Sequence, residues 1–295
     1  MVELAVSAPI ERASPWIAAL KRGGPRLWVG GAVVALLLLV ALLAPLIAPH
    51  DPIEQDLLSA QMPPAWMHGG EISFPLGTDS LGRCVLSRLI FSSRIAVSVA
   101  FIAASLAGAI GIALGLVAGS FGGWIDQLTS RLIDVWMAFP PILLSIVLAA
   151  VIGAGLTSVI LAIVVVDWTR FARIIRAETM VQLQRDYAMA ARVIGMNRGQ
   201  ILRLEIVPNL VPLIVTLLAV EMGVAILVEV ILSFVGISVA GDIPTWGGMI
   251  AEGRQIVYQS PWIMALAIGC VIVSVVGFNL LGDGLRAAFD PVQRQ

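Results

Sequence analysis

The chain has few charged residues: they make up 13% of its 295 residues, whereas hydrophobic residues make up 59%. A soluble globular domain carries about 25% charged residues. A chain of this composition lacks the polar side chains needed to cover a water-facing surface, which excludes an ordinary soluble enzyme and indicates a protein of the lipid bilayer. The net charge of −1 and the lack of a lysine or arginine block give no reason to expect a nucleic-acid partner.

The chain is also poor in residues that hold metals, disulfides or nucleotides. Cys84 and Cys270 are too far apart in sequence to indicate a disulfide framework or a paired-cysteine site. His50 and His68 lack the spacing of metal ligands, so no metal or cofactor is expected on this chain. No stretch matches the glycine-rich phosphate loop that ends in lysine and serine or threonine, so the chain itself should not hydrolyse ATP.

What the sequence does contain is a series of long apolar segments, each of the roughly 20 residues that a membrane span needs. We predict an all-α membrane domain over residues 27–285, and we expect the first apolar run to be a retained span rather than a cleaved signal peptide. Residues 153–155 (GAG) should form a tight turn between the third and fourth spans. The six predicted spans are residues 27–49, one within 95–125, one from 135, one continuing to about 173, one within 206–237 and one within 262–281.

Basic residues are distributed asymmetrically between the predicted loops, and such residues collect on the cytoplasmic side. They occur before the first span, densely between the fourth and fifth, and after the sixth: Lys21, Arg22, Arg26, Arg170, Arg173, Arg176, Arg185, Arg192, Arg198, Arg203, Arg286 and Arg294. Residues 51–82 contain none, and Arg83, Arg88, Arg94 and Arg254 are exceptions. We therefore predict cytoplasmic tails at 1–26 and 286–295, a cytoplasmic loop at about 176–205, and outer loops at about 50–93 and 238–260.

Residues 186–209, DYAMAARVIGMNRGQILRLEIVPN, predict two short helices with a break. Asp186 suits the N-cap of a helix starting at Tyr187, and Gly195 suits the position just after its end. Asn197 can cap a second helix, which Pro208 would stop or hand over to the next span. A membrane protein that folds a cytoplasmic loop in this way presents a surface to a soluble partner.

Gly111, Gly115 and Gly119 recur every four residues on one face of the second span. Small residues at this spacing allow two helices to approach closely. We expect packing within the chain, with an interface to a partner subunit as the alternative.

Acidic residues in or near apolar spans need a partner, because a charged side chain at mid-membrane costs about 2.5–3.5 kcal/mol. Asp134 suits the interface, and Asp167 lies three residues before Arg170, within reach of an ion pair on a helix. Glu221 and Glu229 are eight residues apart on roughly one side of the fifth span. They are candidates for a polar translocation path, and a buried hydrogen bond to a neighbouring helix is the alternative.

The spacing of Ala190, Ala191, Gly195 and Pro208 resembles the cytoplasmic "EAA" loop of ABC importer permeases, although Met189 stands where that family has glutamate. Five further stretches resemble the second, C-type permease of the dipeptide/oligopeptide/nickel group. They are PLGTDSLGRCVLSR (75–88), GSFGGWIDQLTSRLIDVWMAFP (119–140), AILVEVILSFVG (225–236), PTWGGMIAEG (244–253) and FNLLGDGLRAAFDP (278–291).

The resemblance implies the type I ABC importer permease architecture in a bacterial inner membrane, with both termini cytoplasmic. It implies a second homologous permease, two ATPase subunits that use ATP and magnesium, and an extracytoplasmic binding protein that meets the outer loops. The loop between spans 4 and 5 would be a coupling helix docked on an ATPase, and the substrates would be di- or oligopeptides. The residues it assigns to coupling are Asp186, Tyr187, Met189, Ala190, Ala191 and Gly195.

Three other interpretations stay open from the residues. The first is an importer of the same architecture whose substrate is nickel or another small solute. A proton-coupled secondary transporter would use Glu221 and Glu229 as relay groups, although the inverted repeats of such proteins are not evident. A membrane scaffold or receptor would leave the polar groups of the fifth span without a purpose.

Overall fold

The computed structural model describes residues 23–238 and 243–289. Within these ranges the chain is α-helical and has no strand beyond an isolated bridge between Thr78 and Cys84, so the all-α prediction is confirmed there. Most of the two predicted tails, including Lys21 and Arg22, lies outside the described residues. The helices are α1 (Gly24–Ile47), α2 (Val85–Phe121), α3 (Gly123–Met137), α4 (Pro141–Ile152), α5 (Leu156–Gln182), α6 (Asp186–Val193), α7 (Arg198–Ile201), α8 (Val207–Phe234), α9 (Trp246–Gln255) and α10 (Pro261–Phe289).

Four stretches of helix in the described part are long and apolar enough to cross a membrane: α1, α2, the run from α7 through α8, and α10. The pair α3 and α4 makes a fifth if the two helices form one broken span. Although α5 has 27 residues, it carries Asp167, Arg170 and Arg173 near its middle and does not join this set. Length and composition thus support four or five spans, and the count of six stays a prediction.

The predicted third span is not one straight helix. Helix α3 ends at Met137, α4 begins at Pro141, and the two helices are bent by 86°. Pro140 and Pro141 explain the break, because proline lacks an N–H donor and disfavours a helical conformation in the residue before it. The span predicted from residue 135 is therefore interrupted at residues 138–140. The predicted turn at 153–155 is confirmed, since Gly153 and Gly155 have φ angles of +105° and +155° between α4 and α5.

Helix α2 lies at the centre of the fold and packs most extensively along α5, where the row of glycines faces it. A Cβ atom on Gly111 would lie 2.3 Å from the Trp168 carbonyl oxygen, and one on Gly115 would lie 2.8 Å from the Ala172 oxygen. One on Gly119 would lie 2.8 Å from the Arg176 oxygen. The backbones of α2 and α5 can approach this closely because these positions carry no side chain.

Replacing Gly111 by alanine should therefore destabilise the protein by about 1–3 kcal/mol, the usual cost of overpacking. Thermal unfolding in detergent measures this loss. The matched control is Gly31→Ala in α1, where a new Cβ would meet nothing within 4 Å. The control should be neutral or stabilising, since alanine favours a helix over glycine by about 1 kcal/mol. Equal melting temperatures for the two variants would contradict close packing at Gly111.

Helix α10 packs against α1 on one side and α8 on the other, and α8 also contacts α2. Two apolar clusters fill the spaces between these helices. One joins α1, α2, α8, α9 and α10 around Ile226, Met249 and Phe278, and the other joins α2, α4, α5 and α8 around Val99, Ile163 and Leu232.

The loop between α1 and α2 is fastened to α9 by four charged side chains, which we call the loop ion-pair cluster: Asp79, Arg83, Arg88 and Glu252. Asp79 accepts a hydrogen bond from Arg83 Nε at 2.7 Å and another from Arg88, while Glu252 accepts one from each arginine at 3.0 Å. Asp79, Arg83 and Arg88 are buried. Two of the arginines that departed from the predicted charge asymmetry are therefore internal partners of carboxylates rather than surface cations.

Candidate functional site

The segment between α5 and α8 is the candidate partner-binding site, and it begins with helix α6. The helix starts at Asp186, with Arg185 at the N-cap and no side-chain cap. The prediction that Asp186 caps a helix starting at Tyr187 is therefore wrong by one residue. In the first turn, the carboxylate of Asp186 still lies where a negative charge favours the helix dipole.

Gly195 turns the chain after α6, with φ at +89°. The Gly195 N–H bonds to the Arg192 carbonyl and the Met196 N–H bonds to the Ala191 carbonyl, both at 3.1 Å. These two bonds form the Schellman arrangement that ends many helices. A Cβ at position 195 would meet no atom within 4 Å, so the requirement for glycine comes from the backbone conformation alone.

Asn197 caps helix α7, as predicted. Its side chain accepts a bond from the Gln200 N–H at 2.9 Å, and the Gln200 side chain accepts one from the Asn197 N–H at 2.9 Å. From α7 the chain passes through a π-helical turn, Leu202–Ile206, directly into α8, so Pro208 lies in the first turn of α8 and does not stop the chain. Proline is tolerated there because the wider turn removes the need for its N–H.

Helix α6 has one buried face. Ala188 and Ala191 are buried in an apolar cluster with Ile175 of α5, Ile201 of α7 and Leu210 of α8. Because alanine side chains are short, the helix lies close against its neighbours. The apolar cluster therefore connects α6 with residues of α5, α7 and α8.

The other face of α6 is exposed and ends in three apolar side chains, which we call the apolar tip: Met189, Val193 and Ile194. Val193 is 86% exposed and Ile194 78%. Exposed apolar groups next to one another mark a surface that another protein or the membrane covers. The sequence analysis selected Met189 but missed Val193 and Ile194. Their position directly before Gly195, the glycine that ends the helix, could have indicated them.

The other residues assigned to coupling differ in their surroundings. Asp186 and Ala190 are exposed, whereas Ala191 faces inward. The Tyr187 hydroxyl donates a hydrogen bond to Gln182 at the end of α5. Partial burial raises the pKa of Tyr187 above its usual value.

Helix α5 carries arginines at every third position, and each pairs with an acid on another helix. Arg170 bonds to Glu221 of α8 at 3.1 Å, Arg173 to Asp134 of α3 at 3.3 Å, and Arg176 to Asp126 of α3, with one contact at 2.8 Å. The expected partnership of Arg170 with Asp167 is replaced by this pair with Glu221. Asp167 is buried beside both groups and interacts with the two of them.

The two glutamates proposed for a translocation path are buried among helices of this chain. Glu221 is 2% exposed, and its Oε1 atom has no hydrogen-bond partner within the described residues. Glu229 accepts hydrogen bonds from Ser233 at 2.5 Å and Ser238 at 3.5 Å. Glu221 thus has the bond to a neighbouring helix of the alternative interpretation, through Arg170 of α5, whereas the bonds of Glu229 come from its own helix and the turn after it. The role of either residue in a path stays a prediction.

Comparison with known proteins identifies the family of the chain. Residues 111–295 match the family described as binding-protein-dependent transport system inner membrane component. Residues 25–64 match the N-terminal transmembrane domain of oligopeptide transport permease C. The two matches together include α1, the segment between α5 and α8, and both candidate glutamates.

Several curated relatives align over nearly the whole chain. The dipeptide transport system permease protein DppC of Haemophilus influenzae is 40% identical over 90% of this chain and 90% of its own length. The di/tripeptide transport system permease protein DppC of Pseudomonas aeruginosa is 36% identical, with coverage of 89% and 87%. The oligopeptide transport system permease protein OppC of Bacillus subtilis is 32% identical, with coverage of 90% and 86%. This chain therefore belongs to the family of binding-protein-dependent transport system inner membrane components and is a multi-pass membrane permease subunit.

Proposed function

We propose that this chain is one of two homologous permease subunits in an ATP-driven importer of di- and oligopeptides, with α6 as its coupling helix. The observation that carries the proposal is the exposed apolar tip, which lies on a short helix that ends at a glycine turn. The peptide substrate rests on the similarity to permeases whose names specify dipeptides, di/tripeptides and oligopeptides.

In this proposal the membrane domain has six spans and both termini are cytoplasmic. Helix α5 supplies the additional span, since its central charges are paired with acids on α3 and α8. Pairing lowers the cost of carrying charges into a membrane. The α3–α4 pair supplies the broken third span, and the loop ion-pair cluster then lies on the outer side.

The contacts of α6 suggest how ATP-driven motion reaches the membrane domain. An ATPase subunit that binds the apolar tip would move α6 together with Ile175 and Leu210. Arg170 lies five residues before Ile175 on α5, about 7.5 Å away at the helical rise of about 1.5 Å per residue. Glu221 follows Leu210 on α8, so the pair between Arg170 and Glu221 joins two helices that share the apolar cluster with α6.

The chain does not supply ATP chemistry itself in this proposal. ATP and magnesium would be used by two ATPase subunits, one on each permease. An extracytoplasmic binding protein would deliver peptides to the outer loops, near 50–93 and 238–260. The acidic residues of the first outer loop would favour a basic surface on that protein, because charge complementarity guides association.

Reconstitution tests the proposal. The tagged chain, purified with its co-purifying subunits and placed in vesicles, should show ATP hydrolysis and uptake that increase several-fold with peptide-loaded binding protein. Scrambling residues 186–195 should remove this increase while the chain still inserts. Unchanged ATP-dependent uptake after scrambling would refute the coupling role.

The same preparation separates the other candidates. Stimulation by binding protein loaded with a nickel chelate, and not with peptide, would support the same type of importer with a different substrate. Uptake that collapses with the proton gradient while ATP is present would instead favour the secondary transporter. One observation favours the secondary transporter: the buried carboxyl groups of Asp167 on α5 and Glu221 on α8 lie beside each other.

A further inference from the structure

A cavity of about 410 Å³ lies between the end of α2 and the α6–α7 segment. Ser120 and Gly122 line one wall, Leu183 at the end of α5 lines a second, and Arg192 and Arg198 line the third. We call this cavity the arginine pocket. It adjoins the C-terminal end of α6, and none of the three residues of the apolar tip lines it.

The arginine pocket has an unbalanced positive charge. No aspartate or glutamate lines it. Arg192 donates one hydrogen bond to the Leu183 carbonyl at 3.2 Å, and within the described residues neither Arg192 nor Arg198 forms an ion pair. The neighbouring acid Asp126 already has both oxygens bonded to Arg176. The two guanidinium groups therefore remain available to an external anion.

A neutral donor also lines the pocket. The Ser120 hydroxyl has no hydrogen-bond partner in the described part of the chain. Guanidinium groups and a hydroxyl together form a donor set suited to phosphate.

The aromatic residues beside the pocket indicate its depth in the membrane. Phe121 ends the membrane-crossing helix α2, and Trp124 is 73% exposed in the first turn of α3. Exposed aromatic side chains at the end of a membrane helix lie at the level of the lipid headgroups. The ligand that is most concentrated at this depth is a phospholipid headgroup.

We propose that the arginine pocket binds a phosphate group, supplied by the headgroup of an anionic phospholipid. Basic pockets between membrane helices bind such headgroups on the cytoplasmic side. This inference rests on the proposed function in one respect: the proposed orientation places the pocket in the cytoplasmic leaflet, which faces the ATPase subunits. A bound phosphate would connect the α2–α3 junction to α6 and α7, and so would fix the position of the coupling segment.

The test uses the full chain in detergent and native mass spectrometry after addition of phosphatidylglycerol. The wild type should retain phosphatidylglycerol, and the double variant Arg192→Gln/Arg198→Gln should bind it about tenfold or more weakly, since each basic residue near a lipid surface contributes about 1 kcal/mol. The control is Arg203→Gln, an exposed arginine of the same segment that does not line the pocket. The control should match the wild type.

A second arm identifies the source of the phosphate. If millimolar inorganic phosphate does not displace the retained lipid, the headgroup is the ligand. If inorganic phosphate displaces it in the wild type, the pocket is a phosphate site open to the free ion as well. Should the double variant fail to fold, the single variants Arg192→Gln and Arg198→Gln replace it. Equal lipid retention by wild type, control and pocket variants would overturn the proposal, and this result does not depend on transport activity.

Discussion

Aspartate in place of both Val193 and Ile194 is expected to lower peptide-stimulated ATP hydrolysis by the assembled importer more than tenfold. Both side chains are almost fully exposed at the end of α6, so an ATPase cleft that binds this helix would enclose them. Central apolar contacts of an interface each contribute about 2 kcal/mol or more when they are anchors. Two carboxylates without partners would add the cost of burying charge. The measurement is ATPase activity of the complex in vesicles, together with recovery of ATPase subunits on the tagged permease.

The double aspartate variant should fold normally, because substitutions at exposed positions usually change the free energy of unfolding by no more than about 0.5 kcal/mol. Its melting temperature should match that of the wild type. The control is Val193→Thr with Ile194 retained, which keeps the branched shape and should preserve most of the stimulation. Full activity of the double aspartate variant in a normally assembled complex would show that the apolar tip is not the coupling surface.

Replacing Asp79 by alanine should produce the largest loss of stability among the substitutions considered. Asp79 is 2% exposed, and its carboxylate bonds to Arg83, to Arg88 and to backbone N–H groups at positions 81 and 83. Removing one partner from a buried ion-pair group costs about 3–5 kcal/mol, because the remaining charge stays buried without compensation. Thermal unfolding in detergent should show a large downward shift, and the loop between α1 and α2 should become sensitive to protease.

The matched control is Glu54→Ala in the same loop, where the side chain is exposed. Its melting temperature should remain near the wild-type value. The double variant Asp79→Ala/Arg83→Met should recover part of the lost stability, because it removes one of the uncompensated cations. A melting temperature for Asp79→Ala equal to that of the Glu54 control would mean that Glu252 alone can satisfy both arginines.

Local features of the fold were readable from sequence wherever a few adjacent residues decide the backbone. The break after α6 follows from Gly195, the start of α7 from Asn197 and Gln200, and the turn before α5 from Gly153 and Gly155. Each is a short-range effect of backbone conformation or capping. The bend at Pro140 and Pro141 is also a local effect, but it was not predicted because the two prolines lie within an apolar stretch that was interpreted as a single span.

The sequence by itself determined that the chain is a helical membrane permease with a helix–glycine–helix segment in its basic loop. Tertiary structure decided which groups meet: Arg170 with Glu221, the buried arginines 83 and 88 with Asp79 and Glu252, and the glycine row with α5. It also decided that Ala191 faces inward while Val193 and Ile194 face outward. The reason is physical: caps and turns act over about four residues, whereas a partner 51 or 164 residues away is selected only when whole helices pack.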